Sequence, residues 1–166
     1  LGKHDVLTRL YNRSFYVDEL NRLERKGPFP VTVIMADLNG LKAVNDQLGH
    51  AAGDALLRRA GEALGKSVGK PCHAARIGGD EFAILLPATD EHGGDMMMEN
   101  IHNVVEINNQ FYTGPRLSFA MGAATGGAGE RMEALVKSAD ARMYEVKRSH
   151  YASEPQNRRR EDRLPA

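Results

Sequence analysis

The spacing of apolar side chains divides the chain into helices and strands. Between Asn12 and Gly27, apolar residues recur at helical intervals among charged ones, which predicts a helix with Asn12 as its N-cap. Residues 31–38 are almost continuously apolar and rich in β-branched side chains, which is typical of a central strand covered on both faces. The first charged residue of that strand, Asp37, lies at its C-terminal end.

A second amphipathic helix is predicted over about residues 51–67. Its apolar stripe consists of Ala52, Leu56, Ala60, Ala63 and Leu64. The charged residues between them are predicted to face solvent, and these are Arg58, Arg59, Glu62 and Lys66. We expect the apolar stripe to pack on a sheet.

The next two strands have the pattern of a β-hairpin. Strands at 72–77 and 82–87 flank a turn at 78–81. The turn begins with two adjacent glycines, Gly78 and Gly79, which we expect to supply positive φ angles.

The rest of the chain predicts a helix at 95–109, a strand at 116–124 and a final helix after a glycine-rich loop at 126–129. The final helix has one apolar face, formed by Met132, Leu135, Val136, Ala139, Met143 and Val146. From about Ser149 the composition turns to Glu, Pro, Gln and Arg, which is typical of a disordered tail. Strands interleaved with helices predict an α+β fold, with a mixed, mainly antiparallel central sheet flanked by helices.

The length, charge and cysteine content of the chain exclude several classes of protein. The 166 residues suit one domain, and 22 Lys and Arg against 22 Asp and Glu exclude a nucleic-acid binder held by bulk charge. The single cysteine, Cys72, excludes an internal disulfide and a multi-cysteine zinc site, so a cytoplasmic location is expected, either of the whole protein or of the cytoplasmic part of a larger, membrane-anchored sensor protein. No apolar run approaches the roughly 20 residues that span a bilayer, so we expect no membrane contact by this segment. Because the chain begins with Leu1 rather than Met, it is expected to be part of a longer protein.

Acidic residues at the hairpin turn are the first candidate for chemistry. Asp80 and Glu81 are adjacent and repel each other without a cation, and a separate strand ends at Asp37. These three carboxylates are expected to converge at the sheet edge as a magnesium site for phosphates, since Mg²⁺ is usually held by one or two carboxylates together with substrate oxygens. A Gly-Gly-Asp sequence chosen only for its turn geometry is the alternative.

Several segments together resemble one family. Residues 76–87 resemble the signature hairpin of the GGDEF family, the bacterial diguanylate cyclases. Five further segments resemble other parts of that family in its order and spacing, and these are 5–13, 37–46, 49–54, 118–122 and 139–147. The resemblance covers roughly residues 5–148.

The resemblance implies a fold of the ferredoxin-like, nucleotide-cyclase or polymerase-palm type over residues 1–150, followed by a disordered basic tail at 151–166. It implies condensation of two GTP molecules into cyclic di-GMP with release of pyrophosphate, by a homodimer of such domains. The sensing or dimerising region is then expected to lie upstream, outside this chain. The rival reading is a catalytically silent domain that binds GTP and regulates a partner domain.

The resemblance also implies a metal site and a catalytic pair. Asp37, the main-chain carbonyl of Leu38 and the carboxylate of Asp80 would hold Mg²⁺, or Mn²⁺ as the alternative ion, with Glu81 as the neighbouring acid. Asp80 also matches the position of a base for the ribose 3′-hydroxyl, but we rank metal binding above that role.

The GTP site is implied in the same way. Asn45 and Asp54 match guanine readers, because a carboxylate accepts from guanine N1–H and the exocyclic amine together, a donor pair that adenine lacks. Gly78 and Gly79 would let the turn backbone approach the ribose and α-phosphate. The remaining positions of the implied site are Lys42, His50, Lys147 and Arg148. Two alternatives remain open. Asp54 could be an acid that stabilises a helix N-terminus, and His50 could have a structural role.

This chain departs from the family pattern at three places. Asn39 and Leu41 replace an Asp and a Phe, which we expect to be compatible with activity. Gly69 and Cys72 replace the Arg and Asp of the family's inhibitory product site, so no product inhibition through that site is expected. Tyr151 replaces an Arg after the helical lysine, so the phosphate contact at that end is expected either to weaken or to pass to Arg148.

Two smaller features have simple explanations. Three consecutive arginines, 158–160, suggest a nucleic-acid module, but no aromatic residues are interleaved with them and a solvated tail is the better interpretation. No nucleic-acid partner is therefore expected. Cys72 is interpreted as a buried strand thiol in preference to a redox sensor.

Overall fold

The computed structural model describes residues 2–153 and, within them, five helices and four strands. In chain order these are α1 Arg13–Lys26, β1 Val31–Leu38, α2 Leu41–Leu48, α3 His50–Ser67, β2 His73–Arg76, β3 Glu81–Leu86, α4 Glu91–Phe111, β4 Phe119–Gly126 and α5 Met132–Ser153. No helix in this range is long and apolar enough to cross a bilayer.

The four strands form one sheet in the order β2-β3-β1-β4, and every strand pair is antiparallel. β1 is central, as predicted, and all eight of its residues are buried. Parallel pairing is confined to an isolated bridge between Tyr11 and Ala75 beside the outer strand β2. The α+β prediction is confirmed, and antiparallel pairing dominates the sheet as expected.

Alternate residues of β1 face two separate apolar layers, as the period of two in a strand requires. Ile34, Ala36 and Leu38 pack in a core with α2, α3 and α4. Val33 and Met35 pack in a second core with α1 and α5 on the opposite face. Helices therefore cover both faces of the sheet.

α5 lies unusually close to the sheet. A Cβ atom on Gly122 of β4 would come within 2.3 Å of the Met143 amide nitrogen and 2.5 Å of the Ala139 carbonyl oxygen. A glycine at this position therefore allows backbone-to-backbone contact. The first residue of α5 is also anchored, because the Met132 amide donates to Oε1 of Glu24 on α1 at 2.8 Å.

Several predicted boundaries change. The sequence pattern did not predict α2, and α4 begins earlier than residue 95 because Asp90 caps it by accepting from the Gly93 amide. α5 continues through Ser153, past the position where the disordered tail was predicted to start. The rest of that tail lies outside the described residues. Val146, predicted to be on the apolar face of the final helix, is 48% exposed.

Arg59 was predicted to face solvent, and that prediction is wrong. Only 7% of the residue is exposed. Its guanidinium donates to Oδ1 of Asn108 at 2.9 Å, to Oδ1 of Asn109 at 2.8 Å and to the Pro115 carbonyl at 2.6 Å. The Tyr112 ring also lies 4.9 Å from the guanidinium carbon. Arg59 therefore joins α3 to the end of α4 and the segment after it.

Candidate functional site

Acidic residues from two neighbouring strands meet at one end of the sheet. Asp37, near the end of β1, is paired in register with Glu81, the first residue of β3. The Leu38 amide donates to the Asp80 carbonyl at 2.8 Å, which fixes the hairpin turn against the end of β1. Antiparallel pairing thus brings together Asp37, Leu38, Asp80 and Glu81, as the sequence predicted.

Asp37 is the most buried acid of this group, at 7% exposure. Its Oδ2 accepts a hydrogen bond from Nζ of Lys147 on α5, whereas its Oδ1 is buried and accepts none from the described residues. Burial raises the pKa of Asp37, the bond from Lys147 lowers it, and the charge of Asp80 raises it again, so that the pKa ends above its ordinary value. The residues around Asp37 therefore do not fully compensate for the cost of burying its negative charge.

Glu81 experiences the same repulsion. Its pKa is raised by burial first and then by the negative charges of Asp37, Asp80 and Asp140, with Arg13 opposing them. Carboxylates crowded in this way favour a bound cation, because a positive charge relieves both the desolvation and the mutual repulsion.

The donor chemistry at this end of the sheet fits a magnesium ion. Among the side chains that the structure describes, no three of His, Cys, Asp or Glu are arranged to hold a metal by themselves. Mg²⁺ does not need such a set, because it commonly uses one or two carboxylates and completes its shell with water and substrate phosphates. The buried Oδ1 of Asp37, which has no hydrogen-bond partner among the described residues, and the neighbouring Asp80 would supply that minimal protein share.

The two turn glycines do not have the backbone angles that the sequence predicted. Neither Gly78 nor Gly79 is among the residues with positive φ, so that expectation is wrong. A Cβ on Gly78 would come within 2.9 Å of Glu81 Oε1, whereas a Cβ on Gly79 would meet nothing within 4 Å. Gly79 therefore faces open space at the turn.

The predicted guanine readers lie on α2 and α3. Asn45 is on α2, and Asp54 is exposed in the second turn of α3. Gly53 allows the two helices to approach, because a Cβ there would lie 1.7 Å from Asn45 Oδ1. The sequence analysis missed Gly53, although a glycine inside a helical pattern is a signal of close packing.

Three further residues of the predicted GTP site stand apart from these groups, namely two predicted phosphate contacts, Lys42 and Arg148, and His50, to which no contact was assigned. Lys42 is exposed and pairs with Asp46 at 2.7 Å, one turn along α2. His50 is exposed at the start of α3, and Arg148 is exposed on α5. No hydrogen bond or ion pair within the described part of the chain joins any of these three to the carboxylates.

The departures from the family pattern occupy structural positions. The Asn39 amide donates to the Ser118 carbonyl at 2.9 Å, and its side-chain nitrogen donates to Ser118 Oγ at 3.1 Å. Leu41 is buried in the core at 9% exposure. Cys72 was predicted to be a buried thiol on a strand, and that placement is wrong, because the residue is half-buried and lies just before β2 begins at His73. Burial raises its pKa, which disfavours the reactive thiolate.

Sequence reasoning also missed the residues that hold the turn. Arg76 donates from Nη2 to the Gly79 carbonyl at 2.9 Å and from Nη1 to Asp5 Oδ2 at 3.3 Å. Arg13 donates to the Ile77 carbonyl at 3.0 Å. The only sequence signal for this role of Arg76 was its position two residues before the glycine pair. The hairpin pattern alone does not distinguish such an arginine from a surface residue.

The fold and the site define a class. A four-stranded antiparallel sheet covered by helices, with an acidic hairpin beside the end of its central strand, is an α+β domain of the palm type. The family model "Diguanylate cyclase, GGDEF domain" matches residues 2–153. The chain belongs to the GGDEF family, and the resemblance found in the sequence is confirmed.

Individual relatives agree with this assignment. The diguanylate cyclase DgcS of Shewanella oneidensis is 34% identical over 151 residues, which cover 87% of this chain and 49% of the relative. The GGDEF domain of DgcB from Caulobacter crescentus, solved in complex with c-di-GMP, superposes with a TM-score of 0.80 at 28% identity and covers 90% of this chain and 92% of that one. Diguanylate cyclase SiaD of Pseudomonas aeruginosa, solved with its activator SiaC, gives a TM-score of 0.77 at 28% identity over 88% of this chain and 58% of that one. The chain spans between 19% and 49% of the length of three curated relatives.

Proposed function

We propose that this domain is a diguanylate cyclase that condenses two GTP molecules into cyclic di-GMP. The observation that carries the proposal is the Asp37 carboxylate, buried beside Asp80 with one oxygen that accepts no hydrogen bond from the described residues. Support comes from the relative named as a diguanylate cyclase and from the GGDEF domain solved with c-di-GMP.

The same carboxylates would hold a divalent ion. Asp37, Asp80 and the Leu38 carbonyl would bind Mg²⁺, or Mn²⁺ in its place, with Glu81 contributing negative charge. A bound ion of this kind neutralises charge that develops on the α-phosphate and on the pyrophosphate leaving group. Lys147, which already donates to Asp37, would place a second positive charge beside the phosphates.

The reaction forms one phosphodiester bond per GTP. The 3′-oxygen of one nucleotide bonds to the α-phosphorus of the other, the bond from that phosphorus to the bridging oxygen breaks, and pyrophosphate leaves. The 3′-hydroxyl proton passes to Asp80 or to solvent. Closing the ring needs this transfer twice, in opposite directions, so two domains must face each other with one GTP each.

Recognition of guanine is assigned to α2 and α3. Asp54 is exposed and its carboxylate can accept two donors from the Watson–Crick edge of guanine. Asn45 adds an amide that can both donate and accept. Lys42, His50 and Arg148 are exposed and complete the proposed nucleotide site by binding the triphosphate, with Gly78 and Gly79 leaving room for the ribose.

Incubation with GTP and Mg²⁺, followed by chromatography for cyclic di-GMP, tests the proposal. The native chain is expected to form product with a specific rate that rises with protein concentration, because catalysis requires an encounter of two domains. A version fused to a dimerising coiled coil is expected to be active at low concentration. If both versions bind GTP and neither forms product, the domain is a silent GTP-binding regulator instead.

Gly53→Ala is expected to weaken GTP binding about tenfold, the cost of roughly one hydrogen bond to the base. The added methyl group would overlap Asn45 Oδ1, so the Asn45 side chain must leave its present position. Isothermal titration calorimetry with GTP and Mg²⁺ measures the change. Gly65→Ala on the same helix is the matched control, because a Cβ there meets nothing within 4 Å. Equal GTP affinity in the two folded variants would contradict the assignment of Asn45.

A further inference from the structure

A lysine from α5 is paired with the acid that is proposed to hold the metal ion. Nζ of Lys147 donates to Oδ2 of Asp37, near the end of β1. The side chain of Asp37 is 10% exposed and that of Lys147 is 24% exposed, whereas both members of the pair Lys42–Asp46 are exposed. Water therefore screens the Lys147–Asp37 pair much less than a surface ion pair, and the attraction between its two charges is stronger.

The two oxygens of the Asp37 carboxylate have different surroundings. Oδ2 accepts from Lys147, whereas Oδ1 is buried and accepts no hydrogen bond from the described residues. A divalent ion bound to Oδ1 would share one carboxylate with the ammonium group of Lys147. Two positive charges on the same carboxylate repel each other, and the repulsion is strongest where water is excluded. In the protein without nucleotide, Lys147 therefore opposes the binding of a divalent ion to Asp37.

The ammonium group of Lys147 can change its partner without movement of the helix. Arg142, which precedes Lys147 on α5, donates to the Ala123 carbonyl of β4 at 2.6 Å and so attaches the helix to the sheet. The four-carbon stem of a lysine is flexible, and its ammonium group has three hydrogens to donate. A new acceptor close to Asp37 is therefore within reach of Lys147 while the backbone of α5 stays in place.

The phosphates of the nucleotide would be that acceptor. Asp37 fixes where they lie, because Mg²⁺ on a protein carboxylate completes its shell with phosphate oxygens. A triphosphate carries more negative charge than the single carboxylate of Asp37, so it attracts the ammonium group more strongly. Transfer of Lys147 to the phosphates would remove the competing positive charge from Asp37 when the nucleotide arrives.

We propose that Lys147 is the resident counter-ion of Asp37 and that it couples metal binding to nucleotide binding. Without nucleotide, its ammonium group stays on Asp37 and keeps the affinity of the site for a divalent ion low. With nucleotide, it donates to the phosphates, and Asp37 becomes available to the ion. By thermodynamic linkage, the ion raises the affinity for the nucleotide by the same factor. The nucleotide part of this role rests on the proposed function, whereas the metal-binding part does not depend on catalysis.

Mn²⁺ binding to the nucleotide-free protein gives the first readout, measured by electron paramagnetic resonance of the free ion. Lys147→Met keeps an unbranched stem without the charge, and we expect it to bind Mn²⁺ about tenfold more tightly than the unmodified chain. Lys147→Gln is expected to show the same gain, whereas Lys147→Arg retains the charge and should bind Mn²⁺ as the unmodified chain does. Lys137→Met removes an exposed charge from the same helix and is the matched control, with no gain expected.

Binding of 3′-deoxy-GTP at saturating Mn²⁺ gives the second readout, measured by calorimetry. This analogue lacks the attacking hydroxyl and cannot be condensed, so its affinity is measured without turnover. We expect Lys147→Met to bind it about tenfold more weakly than the unmodified chain, because the phosphates lose a cation. The same variant is thus expected to gain affinity for the ion alone and to lose affinity for the nucleotide. A merely structural role of Lys147 would weaken both, and a role in phosphate binding alone would leave the ion unaffected.

Three results would each overturn the proposal. The first is folded Lys147→Met that binds Mn²⁺ no more tightly than the unmodified chain, including the case in which neither binds it detectably. The second is an equal gain in Lys137→Met, which would indicate a general effect of net charge. The third is unchanged affinity of Lys147→Met for 3′-deoxy-GTP.

Two provisions keep these outcomes separate from other failures. If Lys147→Met does not fold, Lys147→Gln decides the question by the same two measurements. A coiled-coil fusion of the unmodified chain that forms no cyclic di-GMP contradicts the proposed function. The Mn²⁺ comparison without nucleotide still decides whether Lys147 is the counter-ion that opposes metal binding at Asp37.

Discussion

Asp80→Ala in the coiled-coil fusion is expected to lower cyclic di-GMP formation about a thousandfold, because metal-assisted charge stabilisation is worth several kcal/mol and about 1.4 kcal/mol is a factor of ten. The substitution removes one of the two carboxylates proposed to hold Mg²⁺. It leaves the backbone contact between the Leu38 amide and the Asp80 carbonyl available, so the turn can keep its place. Product is measured by chromatography over a range of Mg²⁺ concentrations.

Two further variants make this result specific. Asp80→Asn keeps the size of the side chain and should be impaired to a similar degree, because it lacks the negative charge. Asp95→Ala removes an exposed acid from α4 and should retain full activity. Product formation by Asp80→Ala within a few fold of the unmodified fusion would rule out the proposed role of this carboxylate.

Arg59→Met is expected to lower the free energy of unfolding by about 3 kcal/mol, since hydrogen bonds to a charged group contribute roughly 1.5–3 kcal/mol each and some of the freed acceptors regain water. The variant keeps an apolar stem of similar length. It removes the donors of two hydrogen bonds. Nε of Arg59 donates to Oδ1 of Asn108 at 2.9 Å, and Nη1 of Arg59 donates to the Pro115 carbonyl at 2.6 Å. Urea denaturation followed by circular dichroism measures the change.

The neighbouring Arg58→Met is the matched control for Arg59→Met. Arg58 is exposed on the same helix, and surface substitutions of this kind usually change stability by no more than about 0.5 kcal/mol. A loss below about 1 kcal/mol for Arg59→Met would mean that its hydrogen bonds are exchanged for water at little cost.

Arg59 also illustrates where sequence reasoning fails. Helical periodicity places it between the solvent-facing Arg58 and Glu62, and its charge reinforces that assignment. Its burial depends on Asn108, Asn109 and Pro115, which lie about fifty positions further along the chain. No local pattern contains that information.

Helix α2 was missed for a different reason. It has only eight residues and is bounded by Gly40 and Gly49, both with positive φ. Glycines of this kind usually indicate a turn, and a helix of two turns is too short to establish a period. Its formation depends on packing Leu41 and Val44 into the core, which the sequence does not specify locally.

The carboxylate cluster was predictable because it follows from strand order. Asp37 lies near the end of a buried strand, and Asp80 and Glu81 lie where the second strand of the hairpin begins. Antiparallel pairing of these two strands must therefore place the three acids at the same end of the sheet. The partner of Asp37 was not predictable, because Lys147 reaches it from a helix 110 positions away in the chain. The resemblance placed Lys147 near phosphates, whereas the structure pairs it with a proposed metal ligand.

Gly122 fixes the distance between α5 and β4. Because the backbone of α5 packs directly on the backbone of β4 near Met143, no side chain lies between them that could adjust to a change in this distance. A methyl group on Gly122 would push α5 away from β4 near Met143 and so displace Lys147, which lies one turn further along the helix and donates to Asp37. The distance between Lys147 and Asp37 therefore depends on Gly122, which has no side chain and takes no part in the chemistry.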